Sequence, residues 1–390
     1  MPRPLPPRLA AIGGSVFSRL AAQISAASQP PAPLHVGDTH RPPPPGCHVE
    51  ALAAATHPGL HRYLAPQGHP GLIGDLAAHL SARWGCAVDP ARLLITPGAT
   101  GALSAIAAAT LEPGDEVLVI APYWPLIVGI IHTVGAVPVE LPLFAPGPPP
   151  APAALRAALA AAVGPRTVAV YLNSPHNPTG AVLDVAQMDA VVDVCRAHDL
   201  YLWSDEVYAD LSFVGPPPPV APRAPERTFA VGSFSKGWGM AGYRCGWVLL
   251  PPDPALRGAL WKMVTHQSYG AAHPAQLAAR AALAGGAAWQ AEARAEAAAV
   301  GAAAAARLGV PAPAGGSFLF LDLRGCGPSG LSEDDATHEI LVRCLDAGVL
   351  LAPGRSCGQA YAGFARLCFT AAPPALVNRA VDAVAGVLGR

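Results

Sequence analysis

The sequence predicts an α/β protein built on a mostly parallel, doubly wound sheet, with a smaller α+β unit following it. Three observations carry this reading. Between residues 93 and 250, short apolar runs alternate with stretches of helical periodicity, the pattern of strands joined by crossover helices. Polar residues and glycines gather just after those runs, where open α/β sheets bind their ligands. Past about residue 275 the texture changes to a long alanine-rich stretch, short apolar runs and a last helical segment.

Taken in order, residues 1–46 close in the proline stretch Pro42–Pro45. Arg3, Arg8 and Arg19, with several serines and no acidic residue before Asp38, have the composition of a transit peptide. Val16, Phe17, Leu20 and Ile24 also share one helical face, and an ordinary first helix is the preferred reading because no clean apolar run or cleavage site follows. Strands are expected at Leu93–Thr96, Glu116–Ile120, Val137–Leu141, Thr167–Leu172, Leu200–Trp203, Thr228–Val231 and Trp247–Leu250. The clearest helix runs from Asp184 to His198: Asp184 and Gln187 make a capping box, and Val185, Met188, Val191, Val192 and Cys195 form its apolar face. The proline tracts at 148–150 and 216–219 read as stiff surface loops. Ala287–Arg307 reads as one long helix, followed by strands at Phe318–Leu323, Val349–Ala352 and Ala365–Phe369 and a final helix. The expected division is a large domain over residues 47–275 and a small domain made of residues 1–46 and 276–390.

Composition narrows the function. A chain of 390 residues, 52% hydrophobic, is ample for a large core. A formal net charge of -1 offers no electrostatic case for nucleic acid. No stretch approaches the roughly 20 apolar residues of a membrane helix. The 8 cysteines form no C-x-x-C pair, so no metal site is expected, and scattered thiols suit a reducing, cytoplasmic setting. The 25 basic side chains include just two lysines, Lys236 and Lys262. Arginine stays protonated and cannot serve as an amine nucleophile, so a lysine kept at 236 is a candidate for chemistry, whereas Lys262 reads as a surface residue.

The strand ends hold the other candidates. Pro97-Gly98-Ala99-Thr100-Gly101 opens a helix and offers free backbone N–H groups to an anion, although a plain strand–helix turn fits equally well. Asn173 and Asn177, two of the chain's three asparagines, follow the next strand. Asp205 ends a buried strand and needs a cationic or hydrogen-bonding partner, which a structural salt bridge could also supply; Tyr208 lies one turn on. Ser233, Ser235, Lys236 and Arg244 share one glycine-rich loop, a set suited to a ligand carrying both a phosphate and an aldehyde.

In these motifs the chain resembles the class I/II aminotransferases, the fold-type-I enzymes that use pyridoxal 5'-phosphate (PLP). Ser233 to Gly246 matches the lysine signature S-x-S-K-x-x-x-x-x-G-x-R-x-G, Asn177-Pro178-Thr179-Gly180 the N-P-T-G element, and Asp205 with Tyr208 the D-x-x-Y element. The resemblance runs from Gly37 to Phe369. It implies that Lys236 holds the cofactor as a Schiff base and moves a proton, that Asp205 keeps the pyridine nitrogen protonated, and that Asn177 and Tyr208 bond the phenolic oxygen. It assigns the phosphate to Ser233, Ser235, Arg244 and the turn Gly98, Ala99 and Thr100, and ring stacking to Tyr123. Tyr63 matches the Y-x-x-x-x-G element and would reach the neighbouring subunit's phosphate, which implies a homodimer with shared sites. Arg366 would grip the substrate α-carboxylate, beside Gly37 and Asn177. The implied reaction moves an amino group between an amino acid and a 2-oxo acid.

There are departures. Ile73 replaces an arginine, Cys245 replaces an aliphatic residue in the lysine signature, and Trp124 stands where proline is commoner. Tyr123, Trp124 and His266 suggest a neutral or aromatic substrate side chain. Three rival readings remain at this point. One is another PLP reaction on the same site (cyclase, lyase, decarboxylase or oxidase). Another is a non-catalytic PLP-fold protein, which would need a lost residue. The third is a serine hydrolase using Ser356 in Gly354-Arg355-Ser356-Cys357-Gly358, which would need a strand before it and a helix after it.

Overall fold

The computed structural model describes residues 6–27, 29–52 and 56–390; Arg3 lies outside them. Seven strands form the main sheet: β1 (Leu93–Thr96), β2 (Glu116–Ala121), β3 (Val137–Pro142), β4 (Thr167–Asn173), β5 (Tyr201–Asp205), β6 (Thr228–Ser233) and β7 (Gly246–Leu249). Their order is β1-β7-β6-β5-β4-β2-β3. Strands β3, β2, β4, β5 and β6 run parallel, while β7 runs antiparallel to both β6 and β1. An antiparallel return needs no crossover helix. The chain between β6 and β7 is therefore free to be a loop, and it is the loop that carries Lys236.

Apolar side chains leave both faces of this sheet. On one face Tyr171, Trp203 and Phe229 pack against Leu103 and Ile106 of the helix Gly98–Thr110 and Ile127 of the helix Leu126–Thr133. On the other, Leu118, Val170 and Leu202 meet Leu155 and Leu159 of Pro152–Ala162 and Val191 and Cys195 of Val185–Ala197. A third cluster joins the helices Pro70–Trp84 and His273–Gly285 to β1, β7, Phe234 and Trp238. The capping box forms as expected: Gln187 N donates to Asp184 Oδ1 at 2.8 Å and Asp184 N to Gln187 Oε1 at 2.9 Å, an arrangement worth about 1 kcal/mol. Strand β3 is one of the two edges, and Pro138 and Pro142 within it blunt further pairing.

The second unit holds an antiparallel sheet in the order β8 (Phe318–Asp322), β10 (Phe364–Cys368), β9 (Ala352–Pro353). The long helix Ala287–Leu308 turns Ala297, Val300, Ala304 and Leu308 onto Phe369 and the final helix Pro374–Leu388, small side chains letting the helices approach closely. The start of the chain joins the same core: Leu20 and Leu34 are buried in it and Ala32 bridges Val349. Two expectations change here. The strand expected at Val349–Ala352 is a single bridge at 349 plus two residues, 352–353, because Val349 pairs with the N-terminal segment rather than with β10. The N-terminal helix shrinks to the turn Ser18–Leu20 and the six-residue helix Ala21–Ala26, which has no side-chain cap and ends as Ala27 turns extended. Leu20 is buried, Phe17 and Ile24 pack against the core, and Val16 is exposed. Among the described residues no helix is long and apolar enough to cross a membrane.

Candidate active site

A cavity of about 160 Å³ lies beyond the carboxyl ends of β1, β4, β5 and β6, closed on the far side by Phe318 of β8, Arg366 of β10 and the N-terminal Gly37. Its walls carry Gly37, Ala99, Thr100, Asn177, Asp205, Tyr208, Ser233, Ser235, Lys236, Arg244 and Arg366 of the residues singled out from sequence.

The anion-binding end comes from the loop between β6 and β7 and the turn after β1. Ser233 Oγ lies 2.7 Å from Ser235 Oγ and accepts from Ser235 N at 3.0 Å. Arg244 takes a left-handed backbone, φ 56°, and Nη1 donates to Ala241 O at 2.9 Å. That turn lays its guanidinium on Gly98: a Cβ there would stand 2.5 Å from Arg244 Nη2. Gly246 is also required, since a Cβ at 246 would lie 2.6 Å from the Gly98 carbonyl carbon. Two hydroxyls, a guanidinium and the N-terminus of the helix Gly98–Thr110 thus converge on one spot.

At the floor Asp205, 5% exposed, accepts from Tyr171 OH at 2.7 Å and Val207 N at 3.2 Å. Burial raises its pKa to about 6, against the lowering effect of the Tyr171 hydrogen bond. A buried carboxylate held this high is short of positive charge. Asn173 fixes the neighbouring chain: its side chain donates to Asp205 O at 2.9 Å and accepts from Asn177 N at 2.7 Å. Tyr208 stands edge-on to Phe318, ring centroids 5.7 Å apart, and burial pushes its phenol pKa up.

Lys236 reaches the carbonyl oxygen of Gly37. Burial lowers its pKa and the carboxylate of Asp38 opposes that, so part of the amine population is neutral and nucleophilic at a lower pH than for a free lysine. Arg366, 8% exposed, lies over Phe318 with Cζ 4.5 Å from the ring centroid. Nη1 donates to Asn177 Oδ1 at 3.2 Å and Nη2 to His35 O at 3.0 Å, while the buried Nε has no partner. A buried guanidinium with a spare donor is suited to a carboxylate.

Other expected residues stand elsewhere. Tyr123 does not line the cavity; Trp124 does. The Tyr123 phenol bonds Glu140 and its N–H bonds Cys357 O, which draws the ring into the core beside Ile127 and Tyr361. Tyr123, expected to stack on a ring, therefore stands behind the wall, and Trp124 takes the place on it. His266 is exposed on the helix Pro254–Ser268, away from the cavity walls. Tyr63 is 86% exposed and leans on Tyr269, ring centroids 4.8 Å apart. Ser356 Oγ donates to Pro353 O at 2.6 Å within its own 3-10 turn, and a second 3-10 turn follows instead of a helix, so no nucleophile elbow forms. Cys245 is buried with its thiol pushed up to about 12, and Ile73 packs against the core of its helix. Among the described residues no group of three or more His, Cys, Asp or Glu could hold a metal ion. Sequence reading placed Trp124 near the substrate side chain, as the cavity wall has it, and missed Val207 and Phe318. Phe318 carries no polar signal; its place shows once β8 is paired with β10 and lies opposite Cys368.

Residues 34–384 match the family described as aminotransferase class I and II. The chain belongs to that family. This class I/II aminotransferase is 34% identical to the arginine–pyruvate transaminase of Pseudomonas aeruginosa over 82% of this chain and 80% of that one. It is 32% identical to the aspartate/prephenate aminotransferase of Thermus thermophilus over 88% of each. Among solved structures, the Thermus thermophilus aspartate aminotransferase with maleate superposes with TM-score 0.84 at 29% identity, covering 99% of this chain and 100% of that one. The N-succinyldiaminopimelate aminotransferase of Mycobacterium tuberculosis gives 0.86 at 28%, covering 98% and 100%. The fold is therefore fold-type-I, and the protein is an enzyme that transfers amino groups between amino acids and 2-oxo acids. Its family uses PLP.

Proposed function

We propose that this aminotransferase binds PLP in the cavity through a Schiff base to Lys236 and acts on amino acids with neutral, apolar side chains. The observation that carries the first part is the set around Lys236: an amine with lowered pKa between a hydroxyl–guanidinium–helix anion site and a buried carboxylate lacking a cation. Bound there, the cofactor supplies an aldehyde that takes up the amino group and a ring that accepts the electron pair freed at Cα. Ser233, Ser235, Arg244 and the N–H groups at 98–100 hold its phosphate. Asp205 holds a proton on the ring nitrogen, which removes the charge deficit of its own burial. Asn177 and Tyr208 bond the ring oxygen, Trp124 covers a ring face, and Nζ of Lys236 moves the proton between Cα and the cofactor. Arg366 grips the α-carboxylate.

For the substrate class, support comes from Trp124, Val207 and Phe318, which form the apolar part of the wall. The cationic groups there, Lys236, Arg244 and Arg366, are each committed to another task. The exposed Tyr63–Tyr269 pair supports a homodimer in which Tyr63 serves the partner's site. Cys47 packs in a large-sheet cluster and Leu34 in the other core, which supports the boundary at residues 46/47; Ala278, Ala279 and Ala282 of the helix His273–Gly285 still pack with the large sheet, so the cores favour a second boundary after that helix and before Ala297 rather than at 275/276.

Borohydride reduction of the yellow protein should fix the cofactor to the peptide containing Lys236; attachment at Lys262 refutes the assignment. An amino-donor panel read by product mass spectrometry should favour leucine, methionine and phenylalanine over aspartate and arginine. A panel led by a charged donor overturns the substrate class, and a product other than a 2-oxo acid identifies a different PLP reaction.

A further inference from the structure

Glu140 lies on the edge strand β3, outside the cavity, yet it joins two parts of the molecule. Its Oε1 accepts from Tyr123 OH at 2.5 Å and its Oε2 from Gln359 N at 3.0 Å. Tyr123 N donates to Cys357 O at 2.8 Å. The Tyr361 hydroxyl lies 2.8 Å from Ala121 O and 2.7 Å from Phe144 O. The chain leaving β2, residues 121–124, is thus pinned by the segment 357–361 of the second unit, with one carboxylate serving a donor from each side.

We propose that Glu140 is a positioning residue: it anchors Tyr123 so that Trp124 is presented to the cavity, and it ties that wall to the 357–361 segment. Tyr123 and Trp124 are neighbours in the short loop between β2 and the helix Leu126–Thr133, so holding the Tyr123 ring in the core fixes the backbone from which Trp124 lines the cavity. An ionised acceptor makes roughly twice the hydrogen bond of a neutral one, and its second oxygen stays free for a second donor, which a hydroxyl or amide in the same place serves less well. Burial, and then the Glu140 hydrogen bond, push the Tyr123 phenol pKa up, so Tyr123 stays the donor. The inference rests on the reading of the cavity as the cofactor site.

The test uses the holoenzyme with Glu140→Gln and Tyr123→Phe, each made with Trp124 and with Trp124→Ala. With Trp124 present, Glu140→Gln should lower kcat/KM about tenfold, the size of one charge-assisted hydrogen bond, and weaken the visible circular dichroism of the bound cofactor. With Trp124→Ala, the same change should cost less than about twofold, because the ring it positions is gone. Equal losses in both backgrounds, or no loss in either, overturn the proposal. Should Glu140→Gln fail to fold, Tyr123→Phe runs the same cycle with the same two outcomes. A wild-type protein without a visible cofactor band would sink the cofactor reading and this proposal together. A normal wild-type band with an unchanged Glu140→Gln band overturns this proposal alone.

Discussion

The two ends of the cavity are assembled in different ways. Ser233, Ser235, Lys236 and Arg244 come from one loop between neighbouring strands, and their places follow from local backbone: a left-handed turn at Arg244 and glycines where chains touch. Gly37, Asn177, Phe318 and Arg366 come from four separate stretches, and the bond from Arg366 to His35 O spans 331 positions. The first end is mostly the property of one peptide, completed by the turn after β1 that Arg244 and Gly246 lie against. The second exists once two sheets and the start of the chain are docked. Changes at the local end should therefore cost cofactor, and changes at the assembled end should cost substrate while cofactor stays.

Asp205, on the floor between the ends, gives the largest effect. Asp205→Asn keeps size and a hydrogen bond and removes the charge, so α-deuterium exchange from bound amino acid should slow by roughly three orders of magnitude with PLP retained. Exchange near the wild-type rate would make Asp205 a structural carboxylate. Next comes Arg366→Lys, which loses a planar two-point grip. kcat/KM should fall about a hundredfold, with visible absorbance unchanged. Loss of PLP with substrate affinity intact would move Arg366 to the phosphate and erase the contrast between the ends.

A smaller effect tests whether a third contributor, the second chain, belongs to the local end. Mixed Tyr63→Phe and Lys236→Ala chains should exceed the activity of either parent, since one site of each mixed dimer is then intact. A fully active monomer in sedimentation would remove the partner from the site altogether.

The smallest expected effect concerns Glu206, next to Asp205 but with its carboxylate on Ser204 at 3.1 Å. Burial raises its pKa from 4.5 to about 7, opposed by Arg83. The folded chain thus keeps a proton that the unfolded chain releases, and stability falls as pH rises from about 4.5 to about 7. Denaturant midpoints of the holoenzyme should fall less across that window in Glu206→Gln. Parallel curves for the two proteins would place the slope on another group.

The difference between the ends also explains what could be read from sequence. The strands at 93–96, 116–121 and 167–173 were legible because buried parallel strands are short apolar runs, and the loop residues because polar groups at strand ends have few structural reasons to gather. Antiparallel β7 looked like any other run, since hydrophobicity carries no direction. Tyr123 and Trp124 are both large aromatics, and choosing between them needed Glu140 on a different strand. Arg366 was reached by family resemblance alone. Nothing local distinguishes it from other arginines until β10 sets it over Phe318.

The lysine count has a practical side. Lys262 is exposed on the helix Pro254–Ser268, and Lys236 is buried in the cavity. Among side chains, the folded surface offers an amine reagent one address, beside any free α-amino group. Dye coupling or attachment to a support should mark Lys262 on every molecule. A label appearing on the peptide that holds Lys236 would act as a built-in gauge of a pocket without cofactor.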